Sequence, residues 1–222
     1  MKIVNGASLQ PWSGGKPRHI VLLLHGFGSS GHDMIALAPA WQQSMPDALF
    51  LAPHAPQRCG ISAGYQWWPL SDISPQALAR GAASAAPSID SFIDRKLDQY
   101  GLADADLACV GFSQGAMMAL HVGLRRKSAF AAIVGYSGML PGSLQLQHEI
   151  ASRPPVLLVH GARDPVVPVA ALHDAERALK HVGVEVETHV SANVGHIVDP
   201  IGLRLGCAFV ARSLNAAQAP LE

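Results

Sequence analysis

Hydrophobic positions along this chain fall into short unbroken runs, separated by longer stretches where they recur every three or four residues. Ile20–Leu24 is fully apolar, the mark of a strand covered on both faces. Similar runs at Ala48–Ala52 (closed by Pro53), Leu107–Val110, Phe130–Val134 and Val156–Val159 predict further strands. Val184–Val190 predicts a last one, with apolar residues at Val184, Val186 and Val190. Ser30 can cap a helix through Met34, Leu37, Ala38 and Trp41. Ser74-Pro75 starts a long helix that stops near Tyr100-Gly101, and Pro87 inside it is expected to kink or split it. Gln114–Arg126, Val169–Val182 (closed by Gly183) and Ile201–Leu214 complete the helices. Pro53 to Leu70 reads as a loop rich in Pro, Gly and aromatics. Strands alternating with helices need βαβ crossovers, hence a mostly parallel sheet flanked by helices on both faces. No repeat or linker divides the chain, so residues 1–222 read as one domain without a large cap.

Composition narrows the class. Hydrophobic residues make up 49% and charged residues 14%, enough apolar surface for a large core and no segment suited to disorder. The net charge is zero, from 16 basic and 16 acidic residues. The one basic cluster, Arg125-Arg126-Lys127, ends a predicted helix, where cations suit the dipole. That leaves no basic face for nucleic acid or an anionic membrane. No run approaches the roughly 18 apolar residues of a membrane span, and Met1–Gly15 lacks a signal-peptide pattern. Cys59, Cys109 and Cys207 are odd in number without CxxC spacing, so neither disulfides nor a thiolate metal site is expected, and the cytoplasm is the expected location.

The chemistry concentrates in Gly111-Phe112-Ser113-Gln114-Gly115, between the strand Leu107–Val110 and a helix. A strand-to-helix turn this sharp strains its central residue and pushes the Ser113 hydroxyl out at the carboxyl end of the sheet; Gly flanks avoid a collision with it. A serine needs a base to become a nucleophile. In such a sheet the acid and then the histidine follow on loops after later strands. Asp164 follows Val156–Val159, and on its own it reads equally well as a helix cap. Of the four histidines beyond it, His173 and His181 fall in a helix and His189 in a strand, whereas His196 lies on the loop after the last strand. Order and placement therefore select Ser113, Asp164 and His196 together. Asp199 is a weaker acid candidate, since it begins the last helix and should point away.

Gly26-Phe27-Gly28-Ser29-Ser30-Gly31 matches G-x-G-x-x-G, with Asp47 near the spacing of a ribose-binding acid. That reading fails because Asp47 precedes the second strand instead of ending it. His25-Gly26-Phe27-Gly28 fits better as a loop whose Phe27 N–H, with the Gln114 N–H, faces an oxyanion. Losing one such donor typically costs about 2.7–4 kcal/mol of transition-state stabilisation.

With these motifs in place the sequence resembles the phospholipase/carboxylesterase family, which includes acyl-protein thioesterases and bacterial carboxylesterases. The matching blocks are Leu24–Gly28, Gly31-His32, Pro53-His54-Ala55-Pro56, Gly111–Gly115, His160-Gly161 with Asp164-Pro165, Val167-Pro168 and Gly195-His196. The resemblance implies an α/β-hydrolase fold, the same triad and oxyanion amides, no cofactor, and Trp68 as an aromatic beside an acyl pocket. Ser29 stands where the family often has Asp, and Met34 where an aromatic is common; the segment 139–154 matches nothing familiar.

Trp67 and Trp68 lie in the loop after the second strand, and with Phe27, Met139 and Ile197 they are expected to form an open apolar groove. Such a groove suits short to medium acyl esters, acyl-thioesters or lysophospholipids as small-molecule substrates. His25, His54 and His160 are expected to brace loops, with no metal bound. Activity should rise with pH as the His196 imidazole loses its proton. The competing readings are an acyl-protein thioesterase, the same triad with another acceptor, and a non-catalytic ligand-binding domain. A non-catalytic domain should have lost one of the three residues, and all are present. A weak homodimer stays open.

Overall fold

The computed structural model describes residues 3–216. Its main sheet has seven strands: β1 (Val4–Leu9), β2 (His19–Leu24), β3 (Ala48–His54), then β6 (Leu107–Phe112), β7 (Ala132–Tyr136), β8 (Val156–Gly161) and β9 (Val186–Ser191). A separate two-stranded hairpin, β4 (Gln57–Arg58) with β5 (Tyr65–Gln66), interrupts the loop after β3. The strand order is β1-β3-β2-β6-β7-β8-β9, parallel throughout except where β1 pairs with β3. The fold is that of an α/β hydrolase with no large cap.

Alternation along the buried strands splits the core into two layers. Ile20, Leu22 and Leu24 of β2 face the side covered by α2 (Pro75–Tyr100), α3 (Gln114–Gly123) and α5 (Ala170–His181). Val21 and Leu23 face the opposite side, where α1 (Gly31–Met34), the 3-10 turns Ile35–Ala40 and α6 (Pro200–Ala216) lie. A short α4 (Leu146–Glu149) completes the helices. Tyr136 ties α6 down, its hydroxyl donating to the Gly202 carbonyl at 3.1 Å. A Cβ on Gly206 would sit 1.8 Å from that hydroxyl, so only glycine lets the ring lie there. No helix of the described residues is long and apolar enough to cross a membrane.

Several elements depart from the sequence reading. β1 was not anticipated, and β3 runs through Pro53 to His54, not stopping at Ala52. Pro53 is tolerated because the β2 pairing has ended by Leu51 and the β1 register is broken beside it. Ser30 does cap α1, accepting from the Asp33 N–H at 3.3 Å, but one α-turn gives way to 3-10 geometry around Pro39. Pro87 does not split α2, which stays one 26-residue helix. It forfeits one backbone hydrogen bond, while Ala85, Ser88 and Ile89 stay buried and outweigh the loss. Arg125 and Arg126 lie beyond the end of α3 and do more than complement a dipole. Arg125 pairs with Glu149, and Arg126 bridges Asp90 and Asp94 of α2 to Asp104.

Candidate active site

β6 ends at Phe112, α3 begins at Gln114, and Ser113 between them has φ 53 and ψ −116. A non-glycine residue rarely takes this backbone; the Ser113 N–H is anchored to the Tyr136 carbonyl at 2.8 Å. Both flanking glycines are required, for a reason different from collision with the serine. A Cβ on Gly111 would lie 2.2 Å from the Gly115 carbonyl oxygen, and one on Gly115 would lie 2.0 Å from that of Leu24. The elbow is thus pressed against itself and against β2.

His196 sits on the loop between β9 and α6 and reaches the elbow. Its Nε2 is 3.0 Å from Ser113 Oγ and its Nδ1 is 2.7 Å from Asp164 Oδ2. A carboxylate only accepts, so Nδ1 carries the proton and Nε2 accepts from the serine hydroxyl. Asp164 follows β8 with its side chain fully buried, and its Oδ1 accepts the Val166 and Val167 amides at 2.8 and 2.9 Å. Burial alone would raise its pKa; the hydrogen bond from His196 and those two amides outweigh burial and hold the carboxyl below the ordinary aspartate value. The sequence-predicted trio is therefore brought together as one hydrogen-bonded chain. A Cβ on Gly161 would strike the Val194 and Gly195 carbonyls at 2.3 Å, so glycine at the end of β8 lets the His196 loop come this close. Asp199 points elsewhere: it caps α6 through the Gly202 N–H at 3.0 Å and accepts from the Ser191 hydroxyl.

The turn at Gly26 and Phe27 lies against the elbow, since a Cβ on Gly26 would be 3.4 Å from Ser113 Cβ. Among the described residues, neither the Phe27 nor the Gln114 N–H is taken by another protein group. The two turns carrying these amides are bolted together. The buried Gln114 side chain accepts the Trp67 N–H at 3.0 Å and donates to the Trp68 carbonyl at 2.8 Å. The Trp67 indole N–H donates to the His25 carbonyl at 2.9 Å. His25 accepts the Ala55 N–H at Nε2 (3.0 Å), so its Nδ1–H donates to the Gly26 carbonyl at 2.8 Å. Burial pushes the His25 pKa down to about 4, against the opposing Gly26 hydrogen bond, so the ring is neutral near pH 7. His54 accepts the Gly31 N–H, and His160 donates to the Val167 carbonyl at 2.8 Å. All three histidines brace loops, and no metal-holding cluster of His, Cys, Asp or Glu occurs among the described residues.

The expected groove has to be corrected. Trp67 and Trp68 are 1% and 3% exposed, and Trp68 fills the space over Gly81 of α2, so they support the site from beneath instead of lining a groove. Met139 and Ile197 line two different cavities. One, of about 270 Å³, lies beside His196 and is walled by Gly26, Asp33, Met34, Phe112 and Ile197. The other, of about 410 Å³, runs from Met139 and Leu140 to Ile73, Leu144 and Pro168. Met139 at its rim follows Gly138, which packs against the elbow: a Cβ there would be 3.1 Å from the Ser113 carbonyl oxygen. Sequence reasoning passed over Asp33 and the Gln114 side chain. Ser30-x-x-Asp33 carries a capping-box spacing that would have flagged the former; nothing local flagged the latter, whose partners are 46 and 47 residues away.

A model of the family described as Phospholipase/Carboxylesterase matches residues 12–213. The chain is 26% identical to the esterase YpfH of Escherichia coli (strain K12), over 82% of this chain and 77% of that protein. It is 28% identical to acyl-protein thioesterase 1 of Gibberella zeae, over 87% of this chain and 90% of that one. Among solved structures, the esterase PE8 superimposes with a TM-score of 0.92 at 42% identity, covering 96% of this chain and all of that one.

Proposed function

We propose that this chain, which belongs to the phospholipase/carboxylesterase family and is a serine esterase or thioesterase, works through Ser113 as nucleophile, His196 as base and Asp164 as the acid that orients the base. The observation that carries this reading is the unbroken chain Asp164–His196–Ser113 at 2.7 and 3.0 Å, with the turn at Gly26 and Phe27 packed against the elbow. Ser113 Oγ attacks the acyl carbonyl while its proton passes to His196 Nε2. The Phe27 and Gln114 amides stabilise the oxyanion, and the N-terminal end of α3 adds favourable partial charge. His196 then hands its proton to the departing alcohol or thiol, and Asp164 stabilises the transient imidazolium. Water, deprotonated by the same imidazole, attacks the acyl-enzyme and releases the carboxylic acid.

The acyl chain enters the cavity of about 410 Å³ next to Met139, whose apolar walls and size suit short to medium chains. The leaving group must lie on the side from which His196 returns its proton, so it occupies the smaller cavity. A thioester reading stands beside the ester one because of the similarity to acyl-protein thioesterase 1. The three cysteines are unpaired, which suits a reducing compartment such as the cytoplasm. A panel of p-nitrophenyl esters of increasing chain length and matched acyl-thioesters, run on wild type and Ser113→Ala, tests the reading. Turnover should depend on acyl length and drop by several orders of magnitude in the variant. Full turnover in Ser113→Ala would refute it.

A further inference from the structure

The cavity beside His196 is mostly apolar, with Met34, Phe112 and Ile197 among its walls, and it holds one carboxylate, Asp33. No lysine or arginine lies among its described walls, and His196 is the only other titratable group there. Asp33 lies in the single turn of α1, three residues after its cap Ser30, and is held by two hydroxyls: Ser29 and Ser30 both donate to its Oδ2 at 2.8 Å. The Ser30 backbone N–H also hydrogen-bonds this carboxylate, which still lines the cavity as an exposed anion. These neutral donors hold the carboxylate in place without cancelling its charge.

We infer that Asp33 is a specificity residue of the leaving-group subsite, favouring esters or thioesters whose alcohol or thiol portion carries a cation and disfavouring anionic ones. This rests on the reading that Ser113 and His196 perform the hydrolysis. The proton leaves His196 toward the departing oxygen or sulfur, so the group attached to that atom lies in this cavity and the acyl group does not. Apolar walls plus a single exposed anion match an ammonium group on a short hydrocarbon spacer. The two serine hydroxyls depress the Asp33 pKa and keep it ionised. The ionisable groups that interact with it are the imidazoles of His25, neutral within its own hydrogen bonds, and of His54, whose ring lies tilted 4.9 Å from that of His32. Among the described residues no lysine or arginine is paired with the anion.

The test uses three butyryl esters that differ only in the alcohol: choline, its neutral isostere 3,3-dimethylbutanol, and the anionic isethionate. An exposed charge contact of this kind should favour the choline ester about threefold in kcat/KM over the neutral one, and the isethionate ester should fall below it. The ratio should contract toward one as salt is raised, which a merely structural role would not do. Asp33→Asn keeps an acceptor for both serines and removes the charge, so it should collapse the ratio at low salt. The wild-type salt dependence stands as a test even if that variant folds poorly. Ser113-dependent hydrolysis with no charge preference, or a preference that survives both salt and Asp33→Asn, overturns the inference and leaves the hydrolase reading intact. No Ser113-dependent hydrolysis of any ester overturns both.

Discussion

Trp67 shows how a side chain expected at the surface can act from within. Its indole N–H holds the His25 carbonyl while its backbone N–H holds Gln114, so one residue spans both turns that carry the proposed oxyanion amides. Trp67→Phe keeps most of the packing and deletes one buried donor, which should cost about 1–3 kcal/mol of stability. Oxyanion contacts strengthen in the transition state, so kcat should fall roughly tenfold with KM little changed. Stopped-flow and steady-state kinetics beside thermal melts check this; a stability loss with unchanged kcat would mean that Trp67 only fills space. That Ser113, His196 and Asp164 meet was legible in the sequence because each sits at a fixed kind of place, a strand end or the loop after it. Trp67 and Trp68 were misread because position after a strand says nothing about which way a large ring turns. Their inward turn depends on Gly81 and Gln114, both distant in sequence.

At the scale of elements, the Arg126 cluster joins α2, the end of α3 and the turn before β6. Its guanidinium side chain is 14% exposed and meets Asp104 at 2.7 Å, Asp94 at 2.8 Å and Asp90 at 3.2 Å. Removing it strands one mostly buried carboxylate, Asp104, while Asp90 and Asp94 keep solvent, so Arg126→Ala should lose about 1–2 kcal/mol, roughly 2–8 °C in Tm, with ester hydrolysis retained below the new melting point. An unchanged melt would reduce the cluster to surface decoration. This linkage was hidden in the sequence, where Arg125-Arg126-Lys127 looked like a plain helix end. The central strands were legible because burial on both faces demands continuous apolar runs. β1 was not, because it is an edge strand with Gly6 pressed to Ala52 and lacks such a run. Local rules also overstated the proline at 87, since propensity is decided against the burial of a whole helix face.

For the molecule as a whole, buried neutral histidines make stability depend on pH. Burial lowers the pKa of His25 and of His121 to about 4, with Arg125 adding to the effect on His121 and Glu149 opposing it. Below the ordinary histidine value of 6.5 the unfolded chain takes up these protons and the folded one does not until about 4, so stability is lost as pH falls through that window. Asp90, which burial pushes up against the pull of Arg126, binds a proton earlier when folded and offsets part of the loss. Asp164, held below its ordinary value, contributes stability that begins to disappear only under the window. Melting temperatures should therefore decline between pH 7 and pH 4, and His121→Asn should flatten the curve; a flat wild-type curve would contradict these burials. The reaction itself rests on Ser113 being the residue that forms the covalent intermediate. Intact-mass and peptide mass spectrometry after treatment with a fluorophosphonate measures this directly. The account predicts a single adduct per chain, on the peptide containing Ser113, lost in Ser113→Ala together with ester turnover. An adduct on another residue, or full turnover in a chain that cannot be labelled at 113, would contradict it.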